Sequence, residues 1–463
     1  MADEQKRLKI LFHSIESIGH INACIGLGQA LTENGHYCIY FTRTKYAGNY
    51  SKFGFKELLL ITKDDDEKSE NNKTNHPSAN DEWIIQHMIT SGVLSSRSSL
   101  EKLDLYDRHK TEDYYVKNLA INMIKLHDQI ARMIDEEKPD LIIVDHMLVA
   151  PCIAYGKIPW AFQWSSNPIP LYRSKELPPP FSGSILFKFE GYPIDDRSEW
   201  TEFVKIYETS TKPSLQYYQN LLNHECGYPE TVDPEQFLFL SPYFNIYGFP
   251  LELDYMDIVK LPDNFIRLDA FCRYEIEQFE FPDEFRSKIQ PKDKLIYLSL
   301  GSLGSCHVEL MNRLINELSR AVHTKCIVSM GPLHERIQLA DNMWGKPYLP
   351  QPKILPLVDL VITHGGNNTI TETCMAGKPM IVIPLFVDQY DNAQRIQDKG
   401  YGYRLDQNQS NETELLTMIA AIFSDYQMQK RCTLISERLR CSKSKQKKAC
   451  EKIEQFVMQF KSE

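Results

Sequence analysis

His364, Gly366, Asn367, Asn368, Thr369 and Glu372 follow an apolar run at 357–363 that reads as a buried strand. The glycines let the chain turn there, and a helix is expected over 370–376, stopped by Gly377 and Pro379. A second buried strand at 380–385 ends at Asp388 and Gln389. The polar residues are therefore gathered where strands end, the edge at which open α/β sheets bind ligands. A helix N-terminus at that edge offers unpaired N–H groups and a partial positive charge to a phosphate. Two further residues have the chemistry of proton transfer. His20 follows Gly19 in the turn after the first strand, and Asp145 ends the buried run 139–145. Taken locally, a histidine at a helix start is a solvated cap, and an aspartate at a strand–helix junction is an N-cap.

The stretch 364–389 resembles the signature of the UDP-glycosyltransferases of glycosyltransferase family one. That pattern is a strand, then His-x-Gly-x-Asn-(Ser/Thr), a Glu three residues later, and an (Asp/Glu)-Gln pair after the next strand. His364, Gly366, Asn368, Thr369, Glu372, Asp388 and Gln389 fill it without a gap. The resemblance implies an α/β chain of two facing, Rossmann-like, doubly wound domains (the GT-B fold) with a cleft between them. It makes His20 the general base and Asp145 the carboxylate that orients it. Ser302, after Gly301 at the end of the strand 294–300, would meet the donor phosphates together with His364 and Thr369. Glu372 would bind the ribose hydroxyls, and Asp388, Gln389 and the Asn367 amide the sugar hydroxyls. Where the family has Trp-x-Pro-Gln, this chain has Tyr348, Leu349, Pro350 and Gln351. Tyr348 offers a smaller flat face to the base than a Trp does, Gln351 is the nucleoside contact, and Trp344 is a second candidate for stacking.

The activity implied by the resemblance is inverting transfer of a hexose, glucose from UDP-glucose, to a hydroxyl of a small lipophilic or phenolic acceptor, as in detoxification by conjugation. The UDP-sugar is a co-substrate. No metal or other cofactor is required, because protein donors meet the phosphate charge. Glucose is expected over glucuronate from family habit and from the lack of a basic residue placed to receive a carboxylate. Two alternatives are a UDP-sugar epimerase of the same fold and a catalytically silent binder of lipophiles. The complete signature speaks against the first, and the intact His20 and Asp145 against the second.

The elements that must position these residues fall into a first domain at 1–272, a linker at 273–293, a second domain at 294–441, and a C-terminal helix at 442–463 that packs back on the first domain. Strands are expected at 8–12, 37–41, 139–145, 158–163, 237–240 and 265–271, then at 294–300, 325–330, 357–363 and 380–385. Helices are expected at 21–33, 82–90, 113–137, 146–155, 308–322, 411–423, 426–440 and 449–460. The aromatic stretches at 177–181, around Trp200, and at Tyr217 and Tyr218 suit an acceptor-side wall.

Composition excludes several other classes. A length of 463 residues calls for two domains. A net charge of −10 argues against nucleic acid or an anionic membrane as the main partner. The opening apolar run is too short for a secretory signal, and no stretch of about 18 apolar residues offers a membrane span. The 11 cysteines lack CxxC spacing and read as free thiols, which places the chain in the cytoplasm. A monomer is expected. Asp64 and Asp66 form a D-x-D, which in another glycosyltransferase fold chelates a metal-bound nucleotide. Here it lies in the acidic, polar run 62–81 and reads as a solvated loop.

Overall fold

The computed structural model describes residues 7–62, 82–110, 115–184, 197–229, 237–275, 278–407, 413–441 and 443–462. Two parallel sheets dominate it. The first contains β1 (Lys9–Ser14), β2 (Tyr37–Arg43), β3 (Lys56–Leu60), β4 (Leu141–Asp145), β5 (Trp160–Trp164), β6 (Phe244–Gly248) and β7 (Phe265–Leu268), in the order β3-β2-β1-β4-β5-β6-β7. The second contains β8 (Lys294–Ser299), β9 (Thr324–Ser329), β10 (Met343–Lys346), β11 (Leu360–Thr363), β12 (Met380–Val382) and β13 (Gly402–Arg404), in the order β10-β9-β8-β11-β12-β13. The central strands β4, β5 and β11 are buried along their whole length. That is why they read as continuous apolar runs rather than alternating ones: helices cover both faces of a parallel sheet.

Strand order reverses between β1 and β4 in the first sheet and between β8 and β11 in the second. Loops diverge at such a switch point and leave a crevice at the carboxyl ends of the strands. Helix α1 (Ile18–Glu33) starts just past the end of β1. Ser14 pairs in register with Asp145, so the loop before α1 and the end of β4 are neighbours. Helix α2 (Ser99–Asp104) opens with a capping box between Ser98 and Glu101, and α3 (Tyr115–Glu137) buries Val116, Ala120, Met123 and Ile130. In the second sheet, α4 (Asn367–Ala376) follows β11 and α5 (Gln389–Asp398) follows β12. Helix α4 begins inside the polar signature, earlier than residue 370. It ends as expected, with Gly377 left-handed at φ 71°. The last helix, α6 (Lys443–Ser462), joins the core of the first sheet through Ala449, Cys450, Ile453 and Val457.

The strands expected at 357–363 and 380–385 shorten to Leu360–Thr363 and Met380–Val382, and three further elements differ more. The run 237–240 is a loop: Leu238 is buried and the Phe239 ring lies parallel to that of Trp160, while the strand starts only after Pro242, at Phe244. Proline cannot donate to a ladder, so the apolar run before it is packed without pairing. Helix 146–155 shrinks to Pro151–Ala154. The proline forces Ala150 into an extended conformation, and the Leu148 N–H donates to His146 Nδ1 at 3.0 Å. The helix expected over 308–322 stops at Ser319. Among the described residues, no helix is long and apolar enough to cross a membrane.

Candidate active site

The two switch points face each other, and the residues singled out above divide between them. On the first-domain side, the His20 Nδ1–H donates to Asp145 Oδ1 at 2.9 Å. An ionised carboxylate only accepts, so this contact leaves the lone pair on Nε2. Asp145 is 1% exposed. Gln163 Nε2 donates to its other oxygen at 3.1 Å, and Ser165 Oγ donates to Oδ1 at 3.0 Å while lying 3.1 Å from His20 Nδ1. Asp145 is therefore no helix cap; its lone pairs are occupied by the groups that hold the imidazole. Burial alone would lower the His20 pKa. The Asp145 charge, their hydrogen bond and the charge of Asp388 outweigh burial and raise it above its ordinary value.

On the second-domain side, the first turn of α4 carries N–H groups that no helical carbonyl can reach. His364 sits beside them. Burial lowers its pKa to about 4, so near neutrality it is an uncharged donor or acceptor. Gly301 and Gly366 make room for this ring: a Cβ on either would come within 2.7 Å and 2.6 Å of it. Ser302, one residue on, is exposed at the cleft. Gln351 Nε2 donates to Glu372 Oε2 at 2.7 Å and lies 3.2 Å from Thr369 Oγ1, which brings these three residues together. Tyr348 is exposed beside them, with its hydroxyl 3.4 Å from Arg273 Nη2. Trp344 instead packs among Phe279, Phe281 and Phe285, so Tyr348 is the ring at this site. Leu349 is buried.

Asp388 is 8% exposed, and burial raises its pKa to about 6. Its Oδ2 accepts the Asn167 N–H at 3.0 Å from the first domain. The preceding Val387 has a left-handed φ of 53°, a strained conformation for a β-branched residue, costing about 1–3 kcal/mol. Two residues expected on the sugar also make contacts within the protein. Asn367 donates both of its N–H bonds across the domain boundary, to Ser165 O and Gly248 O, each at 3.1 Å. Gln389 Oε1 accepts the N–H groups of Leu385 and Phe386 and closes the turn after β12. Asn368 reaches the first domain too, donating to Gly19 O at 2.7 Å. Asp64 and Asp66 lie outside the described residues.

Most of the expected aromatic wall is packed, although Tyr217 is 45% exposed. Phe181 packs with Leu103 and Phe203, and Trp200 and Tyr218 are buried in the core. A cavity of ≈140 Å3 opens instead at the ends of β1 and β2 against α3, lined by Ser14, Ile21, Phe41, Tyr50, Met123 and His146 among others. The sequence reading also missed Gln163 and Ser165, although they stand at the end of β5 as Asp145 stands at the end of β4. It missed Arg273, which is buried beside Glu372, and Asp391, which accepts the N–H groups of Phe181 and Gly183 at 2.7 and 2.9 Å. Lys102 is 1% exposed, donates to Leu385 O at 2.7 Å, and has its pKa lowered to about 8 by burial.

The profile of the UDP-glucoronosyl and UDP-glucosyl transferase family matches residues 249–443. The NDP-glycosyltransferase YjiC of Bacillus subtilis is 23% identical over 427 residues, covering 91% of each chain. A sterol 3-beta-glucosyltransferase of Debaryomyces hansenii is 28% identical over 204 residues, which are 42% of this chain but 13% of that protein's length. The crystal structure of the glycotransferase of kitacinnamycin superposes with a TM-score of 0.66 at 16% identity, covering 98% of this chain and 100% of the other. That likeness carries the two-domain GT-B fold.

Proposed function

Because the chain is a glycosyltransferase of the UDP-glucoronosyl and UDP-glucosyl transferase family, we propose that it moves a hexose, glucose first among them, from a UDP-sugar to a hydroxyl of a small lipophilic or phenolic acceptor. The observation that carries this reading is the His20–Asp145 pair, 2.9 Å apart at one switch point and facing the start of α4 at the other. His20 Nε2 takes the acceptor proton as the hydroxyl oxygen attacks the anomeric carbon. The bond from that carbon to the β-phosphate oxygen breaks on the opposite face, so the configuration inverts. Asp145 holds the working tautomer and stabilises the imidazolium. Charge developing on the departing UDP meets the free N–H groups of α4, the Thr369 and Ser302 hydroxyls, and His364 as a neutral donor.

Glu372, held by Gln351, accepts from the ribose hydroxyls. Tyr348 stacks on the base, and Asp388 accepts from the sugar hydroxyls. Asn367 and Gln389 act indirectly here, Asn367 by tying the domains and Gln389 by shaping the turn that carries Asp388. The repulsion between Asp388 and a uronate favours glucose. Lys102, a buried cation beside this turn, is already engaged with the Leu385 carbonyl.

The test is UDP release from UDP-glucose and from UDP-glucuronate with a panel of phenols, for the wild type and Lys102→Met. Higher kcat/KM with UDP-glucose in both proteins is expected. Preference for the glucuronate, lost in Lys102→Met, would overturn the donor assignment.

A further inference from the structure

We propose that Ser165 is a positioning residue of the His20–Asp145 pair, and that the second domain holds it in place through Asn367. The proposal rests on the transferase reading above, with His20 as the base, and adds a residue that acts through it. Ser165 follows the last residue of β5 and is buried. Its hydroxyl donates to Asp145 Oδ1 at 3.0 Å and lies 3.1 Å from His20 Nδ1, so it touches both members of the pair. The same Oδ1 accepts the His20 Nδ1–H, while Oδ2 accepts from Gln163 Nε2 at 3.1 Å and from the Cys24 thiol at 3.8 Å. A carboxylate has roughly four acceptor sites, and these donors fill them. The carboxylate cannot turn without giving up a bond, so the imidazole keeps its proton on Nδ1 and its lone pair on Nε2. Gln163 and Cys24 hold the oxygen away from the imidazole, whereas Ser165 holds the oxygen that bonds it.

The main chain of Ser165 is gripped from the other domain. Asn367, the first residue of α4, donates to Ser165 O and to Gly248 O, each at 3.1 Å. Trp164 on β5 pairs with Tyr247 on β6, so the two carbonyls belong to neighbouring strand ends and one side-chain amide spans both. Two residues on, the Asn167 N–H donates to Asp388 Oδ2 at 3.0 Å, and its side-chain amide donates to Asn392 Oδ1 at 2.9 Å. Asn167 also precedes Pro168, which disfavours helical backbone there and stiffens the short loop. The loop 165–167 therefore places one side chain against the base and its backbone on the elements proposed to carry the UDP-sugar. A shift of the second domain is felt at His20 through this loop.

Removing the hydroxyl has a signed effect. Burial opposes charge on His20, and the Asp145 charge and hydrogen bond, with the Asp388 charge, overcome it. The Ser165 bond draws on the Asp145 charge; without it that charge acts on the imidazolium undivided, and the His20 pKa rises further. Cys24 and His146, the other titratable groups beside the pair, are kept uncharged near neutrality by burial.

The test uses the full chain as wild type, Ser165→Ala, Ser165→Thr and Asn367→Ala, with UDP-glucose and the panel of phenols. Ser165→Ala is expected to lower kcat by about 10- to 100-fold and to move the limb of kcat/KM to higher pH, the direction opposite to that of Asp145→Asn. A residue that only supports the fold moves no limb. Ser165→Thr keeps the hydroxyl and should restore the wild-type limb and most of the rate. Asn367→Ala should lower kcat and shift the limb the same way, with the KM for UDP-glucose little changed. An NMR titration of the His20 ring in histidine-labelled protein, assigned by its loss in His20→Ala, reads the same shift without turnover. If no protein transfers glucose to any phenol but the ring titrates higher in Ser165→Ala than in the wild type, the transferase reading fails and the positioning role stands. If transfer proceeds and neither the limb nor the ring titration moves in Ser165→Ala, Ser165 does not position the base. A raised KM for UDP-glucose with unchanged kcat in Asn367→Ala would overturn the hold from the second domain.

Discussion

The Arg273 guanidinium lies 3.5 Å from the Glu372 carboxylate, with both side chains 5% exposed. Arg273 also bonds Glu275 at 2.7 Å. It therefore brings a buried positive charge from the segment leaving β7 into the place proposed for the nucleoside. Burial raises the Glu372 pKa, and Arg273 and Gln351 act against that rise. Arg273→Ala removes the main opposing charge, so Glu372 binds its proton to still higher pH and loses acceptor capacity for ribose. Breaking one side of such a buried pair costs about 3–5 kcal/mol. Urea unfolding should show a loss of that size, and UDP affinity should fall and then recover partly as pH rises. Unchanged stability and unchanged UDP affinity would remove Arg273 from the site.

Asn368 and Thr369 are adjacent but do different things. Asn368 ties α4 to Gly19 O, next to the proposed base, whereas the Thr369 hydroxyl is assigned to the phosphates. Asn368→Ala should lower kcat by about 10-fold through misplacement of His20, with a smaller change in UDP affinity. Thr369→Ala should weaken UDP binding by about 3- to 10-fold, the value of one hydrogen bond. Calorimetric Kd values and turnover for each variant check the division, and equal effects of both changes on UDP affinity would contradict it.

The pH profile has a defined sign. A general base works unprotonated, and the His20 pKa is raised, so kcat/KM should climb with pH along a limb centred above the ordinary histidine value of about 6.5. Asp145→Asn deletes the larger of the two charges that raise it and leaves burial dominant. The limb should then move to lower pH, while the plateau falls by roughly 10³- to 10⁴-fold because the tautomer is no longer fixed. A limb that stays in place in Asp145→Asn would show that another group sets it.

Much of this site is legible in the amino-acid sequence alone. Strand ends are where apolar runs give way to polar residues, and that rule brings Asp145 and the polar stretch 364–389 to the ligand edge, whereas the roles of His20 and Asp145 came from the family resemblance, since taken locally both read as caps. What it cannot supply is the direction of each side chain. Asn367 and Asn368 are neighbours in the sequence, yet both turn to first-domain carbonyls. Arg273 sits in a charged stretch that resembles a solvated linker, and only the packing against α4 turns it into a buried ion pair. Lys102 and Asp391 were hidden for the same reason: each is buried by the opposite domain, and no local pattern records a contact between residues so distant in the chain. The cavity near His13 escaped because its walls come from β1, β2 and α3, whereas aromatic density pointed to segments that fill the core.

The most direct measurement is turnover and UDP affinity of His20→Ala on a neutral alcohol acceptor. If His20 is the base, kcat should fall by about 10²- to 10⁴-fold. UDP affinity, measured by calorimetry, should stay close to the wild-type value, because the proposed nucleotide site lies on the other domain. A phenol already ionised at the assay pH needs no base and should recover part of the lost rate. If His20→Ala retains most of the wild-type turnover on the neutral alcohol, His20 is not the base and the proposed mechanism is wrong.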